Sequence, residues 1–322
     1  MASFASLCLV DYLCGLVNLK MLNPSSQNTY QLADIASIMN DELSGVVVPG
    51  LKRVQQNFFV MNVDQTIVQG QSAYTFPPRA IGNSVRDVVL VDSNGNEVAL
   101  NNLEREYIKT QFPFTFVPAI WSFGMYGTAN EINLYNTMIQ SYTAYKLRFI
   151  TERRPGALTL STSCGQITGI TGNVVSLSYV DQAWTTATTF DSINQLPPFQ
   201  SFADDISISL INGFQITVSG TALSPGTGVP ASLAIGQWIC PAMLSCIPQI
   251  PYELFPLLTE LTIATMSGGL DMSQLLAAAN AKIENYAANA AALVKPRVTG
   301  SPKVIINQSS RGTGFGRGMG FR

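Results

Sequence analysis

The chain has 322 residues, of which 47% are apolar and 12% charged, with a net charge of −2 and no histidine. The apolar content excludes wholesale disorder. The charged share is about half the ~25% usual for soluble domains, which suits a surface that spends its life against neighbours. Without imidazole, the Ser-His-Asp triad, the Cys-His dyad and His-based zinc sites are excluded.

Ala2–Leu19 is apolar, but it lacks a basic start, is interrupted by Asp11 and is followed by no Ala-x-Ala site, so it reads as a core helix and not as a secretory signal. No stretch reaches the ~20 uninterrupted apolar residues of a membrane span. Ser3 is placed to cap a helix running to about Leu16, with Leu7, Val10, Leu13 or Cys14, and Val17 as its stripe. Asn23-Pro24-Ser25-Ser26 predicts a loop. Thr29 is placed to cap a second helix through about Leu43, its stripe Leu32, Ile35, Ile38, Met39 and Leu43, with Gly45 as its stop. Pro49 opens a short third helix ending near Gln56, so residues 1–57 form an N-terminal helical part.

From Phe58 the texture is β. Strands are predicted at Phe58–Val63, Ala73–Phe76, Val85–Asp92, Glu97–Leu100, Ala119–Tyr126, Glu131–Tyr135 and Ala144–Thr151, with a short helix at Leu103–Lys109. Ser93-Asn94-Gly95-Asn96 is a hairpin turn, because Asn-Gly accepts positive φ cheaply. Residues 58–155 therefore predict a β-sandwich or half-open barrel. Residues 156–246 form a second β unit with four Asp, no Glu and no Lys or Arg. Ile170–Val175 and Ile211–Ile216 each place a turn before a β-branched run, with Trp184 and Trp238 downstream, which fits either an internal duplication or two hairpins of similar turn chemistry.

Helix returns after Pro251: Glu253–Met266, ended by Gly268-Gly269, and then the longest helix, capped by Asp271 with Gln274 and running to about Val294. Leu275, Ala279, Ile283, Tyr286, Ala290 and Leu293 fall along one face of it, and Pro296 ends it. Residues 247–295 are thus a C-terminal helical part. The remainder, 296–322, is an extended basic arm. Arg297, Lys303, Arg311, Arg317 and Arg322 stand there with no acid and Lys295 directly precedes them, so +6 on residues 295–322 faces −8 on residues 1–294 within the total of −2. Gly- and Ser-rich, it cannot build a core of its own.

Candidate chemistry is sparse. Asp41-Glu42 and Asp204-Asp205 read as a solvated helix face or turn. Cys8, Cys14, Cys164, Cys240 and Cys246 contain no Cys-x-x-Cys and read as buried reduced thiols, which points to assembly in a reducing cytoplasm. Gly312-x-Gly314-x-Gly316 lies in the tail and lacks the Lys and Ser/Thr of a phosphate loop. No catalytic, cofactor or metal site is predicted, and the chain reads as a non-enzyme. The fold class expected is α+β: N- and C-terminal helices packed together, a central β-sandwich or barrel, an inserted second β unit and the C-terminal arm.

Four segments carry a family likeness. Ser25-Ser26 with Leu32, Ile35 and Met39-Asn40-Asp41-Glu42-Leu43 resembles the opening helix pair of head-to-tail adaptor (connector) proteins of tailed bacteriophages. Gln69–Pro77, with Tyr74-Thr75, is similar to the strand turn that follows it. Arg148–Pro155 is similar to the strand closing the family's β part, and Ile247–Leu254 to the segment opening its late helix pair. The likeness spans mainly 1–155 and 247–300; residues 156–246 depart from the simplest adaptors.

The resemblance implies a virion protein of the neck: a twelve-fold ring of identical subunits under the portal. It implies portal protein and downstream tail proteins as partners, and double-stranded DNA passing through the lumen without sequence-specific binding. It also implies assembly in the host cytoplasm and no membrane partner. The arm residues Lys295, Arg297, Lys303, Arg311, Phe315, Arg317, Phe321 and Arg322 would then bind the portal or a neighbouring subunit, the aromatics acting as anchors. Three other readings compete: another tail or collar protein of nozzle or tube type, a nucleic-acid binder acting through its Arg/Gly arm, and a secreted carbohydrate-binding protein using Trp121, Trp184 and Trp238 as platforms.

Overall fold

The computed structural model describes residues 4–21, 30–68, 71, 73–77, 79–102, 120–126, 129–135, 145–221, 224–225, 228–270 and 272–294. The fold is mixed α+β, with helices and a closed six-stranded barrel. The predicted loop at 23–26, the helix at 103–109 and the caps Ser3, Thr29 and Asp271 lie outside the described residues.

The first predicted helix is two. α1 (Phe4–Leu7) breaks at Cys8-Leu9, and α2 (Val10–Lys20) begins with Leu9 extended at ψ 145°. The break has a tertiary cause: the Val10 N–H donates to the Cys246 carbonyl at 2.9 Å, and Cys8 is fully buried. α3 (Leu32–Glu42) starts where the Asp34 carboxylate accepts the Gln31 N–H at 2.9 Å. Gly45 does not end it. The chain passes through one π-helical turn, Leu43–Val47, directly into α4 (Val48–Val54). Leu43, Val47, Val48 and Leu51 are all buried in one core, and that burial outweighs the ~1 kcal/mol a helical glycine costs. A short 3-10 turn, Tyr252–Leu254, leads into α5 (Phe255–Gly269), and α6 spans Ser273–Val294. Val10, Leu13 and Val17 of α2, Ile35 and Met39 of α3, and Leu258, Ile263 and Met266 of α5 belong to a single buried cluster. Glu260 of α5 is 1% exposed and pairs with Lys20 at 2.7 Å, which satisfies a charge that burial would otherwise penalise.

Two four-stranded sheets follow. In the first, β1 (Val60–Thr66), β8 (Lys146–Arg153), β3 (Ala80–Val91) and β4 (Glu97–Ala99) lie antiparallel in that order. In the second, the order is β2 (Ala73–Thr75), β7 (Ala129–Tyr135), β6 (Ile120–Tyr126) and β5 (Asn101–Asn102). Alternate residues Leu147 and Phe149 of β8 and Val88 and Leu90 of β3 are buried with Tyr74 and Ile132 of the other sheet. The Asn94-Gly95 turn forms as predicted: Gly95 sits at φ 85°, and Asp92 accepts the N–H groups of Asn94 and Asn96 at 2.8 Å each.

The barrel uses β10 (Gly165–Thr171), β11 (Val174–Leu177), β12 (Phe190–Ile193), β13 (Ser201–Asn212), β14 (Gln215–Thr221) and β16 (Trp238–Pro241), with β15 (Ser224–Pro225) appended to β14. The order β11-β10-β16-β12-β13-β14 closes because β11 also pairs with β14, Val175 opposite Ile216. Closure removes exposed sheet edges. Ile167, Val175, Phe190, Ile206, Ile216 and Ile239 fill the interior. The two look-alike turns are hairpins with glycine in the left-handed region, Gly172 at φ 58° and Gly213 at φ 57°. Their downstream tryptophans are not equivalent, since Trp184 lies in a turn and Trp238 in a strand. This favours similar turn chemistry over duplication. The chain enters this unit along β9 (Ala157–Leu158) and leaves along β17 (Leu244–Ser245), which pair in parallel.

Asp204-Asp205 is not a solvated turn. Both sit in β13, where Arg79 and Arg153 from the preceding β unit reach them. Arg79 is 5% exposed and forks onto Asp191, 2% exposed, at 2.5 and 2.7 Å, while its Nη2 also reaches Asp205 at 2.6 Å. Asp191 further accepts the N–H groups of Met243 at 2.9 Å and Asp205 at 3.1 Å. Those two are the non-glycine residues with positive φ among the described residues, at 68° and 51°. One carboxylate thus holds both unfavourable backbone conformations and the guanidinium.

Candidate interaction surface

α6 is the element whose burial fits its composition least well. Nine of its 22 residues are alanine, and its charges are Lys282 and Glu284 alone. Only Ala279 is buried among its described side chains, and Leu275, Ile283 and Tyr286 are half-buried against the helical core. Leu293, expected on that same face, is 64% exposed, and the side chain of Ala290 lies outside the described residues. At 100° per residue, Ala277, Ala281, Ala288 and Ala292 fall opposite the buried stripe, and all four are exposed. A solvent-facing helix ordinarily carries charge there. Alanine instead allows a neighbouring backbone to approach closely.

Beside this helix lies an apolar cavity of about 230 Å³ between α4, α5 and α6, lined by Val46, Leu51, Leu257, Leu261, Ile283 and Val294 among others. Val46 is 48% exposed at its mouth. Val294, one of its lining residues, is followed directly in the chain by Lys295. The arm residues Lys295, Arg297, Lys303, Arg311, Phe315, Arg317, Phe321 and Arg322 themselves lie outside the described residues.

The barrel adds exposed apolar tips. Phe214 is 62% exposed beside the Gly213 turn, and Leu210 and Ile235 are 55% and 67% exposed. Two tryptophans do not serve as open platforms. Trp184 is buried with its ring 4.6 Å from Phe190, and Trp238 is half-buried against the helical core; the side chain of Trp121 lies outside the described residues.

Charged groups on the body are mostly paired. Glu152, 7% exposed, is pushed up by burial but pulled further down by Lys52 and Arg86, so it sits below the ordinary carboxylate range. Arg148 forks onto Asp64 at 2.7 and 2.9 Å and reaches Glu97 at 2.8 Å. These pairs join β8 to α4 and to neighbouring strands and leave no convergent acid–base couple among them. No described helix is long and apolar enough to cross a membrane. Comparison of the sequence with known protein families and with curated proteins returns no match.

Proposed function

We propose that this chain is a non-enzymatic structural subunit that assembles into a closed ring at the portal/tail junction of a tailed phage, extends the DNA channel and docks tail proteins. The observation that carries this reading is the outer face of α6, which is exposed along its length and nearly free of charge, and so is built to be covered by another copy of the chain. Heterologous contacts whose rotation closes make rings. In this reading residues 1–57 and 247–295 are one helical body. The β domain 58–155 and the unit 156–246 are carried on it, the latter inserted between the paired segments β9 and β17. The sequence likeness to connector proteins supplies the location, and the +6 arm on a −8 body supplies the strap between neighbours.

The double substitution Ala281→Glu/Ala288→Glu tests the surface. Both positions are exposed, and glutamate is a good helix former, so the melting of the isolated subunit should stay within about 1 kcal/mol of the parent. Self-association, read by sedimentation, should fall at least tenfold, because two unpaired carboxylates would be desolvated in each interface. Unchanged self-association would remove α6 from the interface.

A further inference from the structure

Three of the five cysteines, remote in sequence, meet in one place. Cys164 follows the 3-10 turn Ser161–Ser163, Cys240 lies in β16 and Cys246 follows β17. Their sulfurs all lie within 4.8 Å of one another, Cys240 and Cys246 at 3.7 Å, and each residue is fully buried. The cluster sits where the base of the barrel meets the helical core. Cys246 holds the first N–H of α2 through its carbonyl, and Asp11 of α2 accepts the Ser161 N–H at 2.7 Å.

We propose that Cys164, Cys240 and Cys246 form a structural binding site for one thiophilic divalent d10 ion of the zinc class, bound through three thiolates. Sulfurs bonded to a common zinc at ~2.3 Å stand about 3.8 Å apart in a tetrahedral arrangement, so the observed 3.7 Å edge already has the required spacing and the longest edge needs only a modest contraction. All-sulfur donors select soft cations over calcium or magnesium. Burial favours a divalent over a monovalent ion, because three thiolates then leave a residual charge of −1 and not −2. Binding releases the three thiol protons, M²⁺ + 3 RSH giving M(SR)₃⁻ + 3 H⁺, so the charge balances and no oxidant is involved. The ion would tie the chain's entry into the barrel to its exit, and both to the start of α2. The described residues supply three of the four tetrahedral ligands, and the full burial of all three cysteines makes the role structural, with the fourth position left to a small exogenous ligand.

The test uses the full chain made in cells grown with added Cd(II), so that the ion meets the chain as it folds. One cadmium per chain is expected by elemental analysis, with thiolate-to-cadmium absorbance in the ultraviolet. Cys8→Ser and Cys14→Ser, cysteines of the same core but outside the sulfur cluster, should keep both signals. Cys240→Ser should lose at least 90% of them. Should Cys240→Ser not fold, the parent chain decides alone: acidification must release the ion as the chain takes up about three protons. A folded parent chain carrying less than 0.2 cadmium, or a cadmium signal lost with Cys8 or Cys14 and retained without Cys240, would overturn the site.

Discussion

Arg79→Met should destabilise the protein by about 3–5 kcal/mol, because it breaks a buried charge cluster and leaves its carboxylates uncompensated. The guanidinium is almost wholly buried and stands against three carboxylates, Asp191, Asp204 and Asp205. The favourable contacts raise its pKa despite the opposing cost of burial. Removing it strands Asp191 at 2% exposure, and Asp191 in turn orders the left-handed residues Met243 and Asp205. The contrast is Arg148→Met. It deletes an equally bidentate arginine, but one whose partners Asp64 and Glu97 have side chains 32% and 47% exposed, so solvent screening should hold the loss to about 1 kcal/mol or less. Denaturant unfolding of both variants checks the pair. Adding Asp191→Asn to Arg79→Met should recover part of the loss, since the uncompensated charge then goes. Equal effects of Arg79→Met and Arg148→Met would mean that the buried cluster does not join the β domain to the barrel energetically.

Deleting 296–322 should leave a subunit that folds with the parent's stability yet assembles poorly. The segment adds five of the chain's Lys and Arg residues and no acid, and it is too rich in glycine and serine to hold a core. The described members of the three buried clusters all precede it in the chain. In the proposed assembly, what goes is the cationic contact with an acidic neighbour and the Phe315 and Phe321 anchors. Melting should therefore be unchanged, while incorporation into particles or rings falls at least tenfold. Salt separates this from nucleic-acid binding by the arm. A strap between subunits loses strength moderately as salt rises, whereas affinity for DNA through five cations would fall steeply, with a log–log slope of about −4.5. Full-yield incorporation of the truncated chain would remove the arm from the assembly mechanism.

The sequence revealed what is local in physical origin. Asn94-Gly95 and the glycines at 172 and 213 announce their turns because positive φ is a property of one residue and its neighbours. The late helices are legible from periodicity and from Pro251. Tertiary forces decided the rest. Gly45 lies inside a continuous helical run because four buried residues around it outweigh its local preference. Cys8-Leu9 interrupts a helix because Val10 finds a carbonyl at Cys246. Asp204-Asp205 looked solvated because Arg79, its partner, stands 126 residues from Asp205 in the chain. The sulfur cluster escaped for the same reason: Cys164 is brought to Cys240 by the pairing of β10 with β16, Gly165 opposite Ile239, and no spacing motif encodes that pairing. Of the interaction surface, the alanine content of α6 was visible in advance. Its exposure was not, since an Ala-rich stripe equally suits the middle of a bundle.

Native mass spectrometry of the purified full chain over a concentration series, alone and with portal-bearing heads, tests the central claim of self-association most directly. A single closed oligomer, with twelve copies, is predicted either free or on the head, and the Ala281→Glu/Ala288→Glu variant should shift it to monomer. A chain that stays monomeric at every concentration and binds no head would contradict the account.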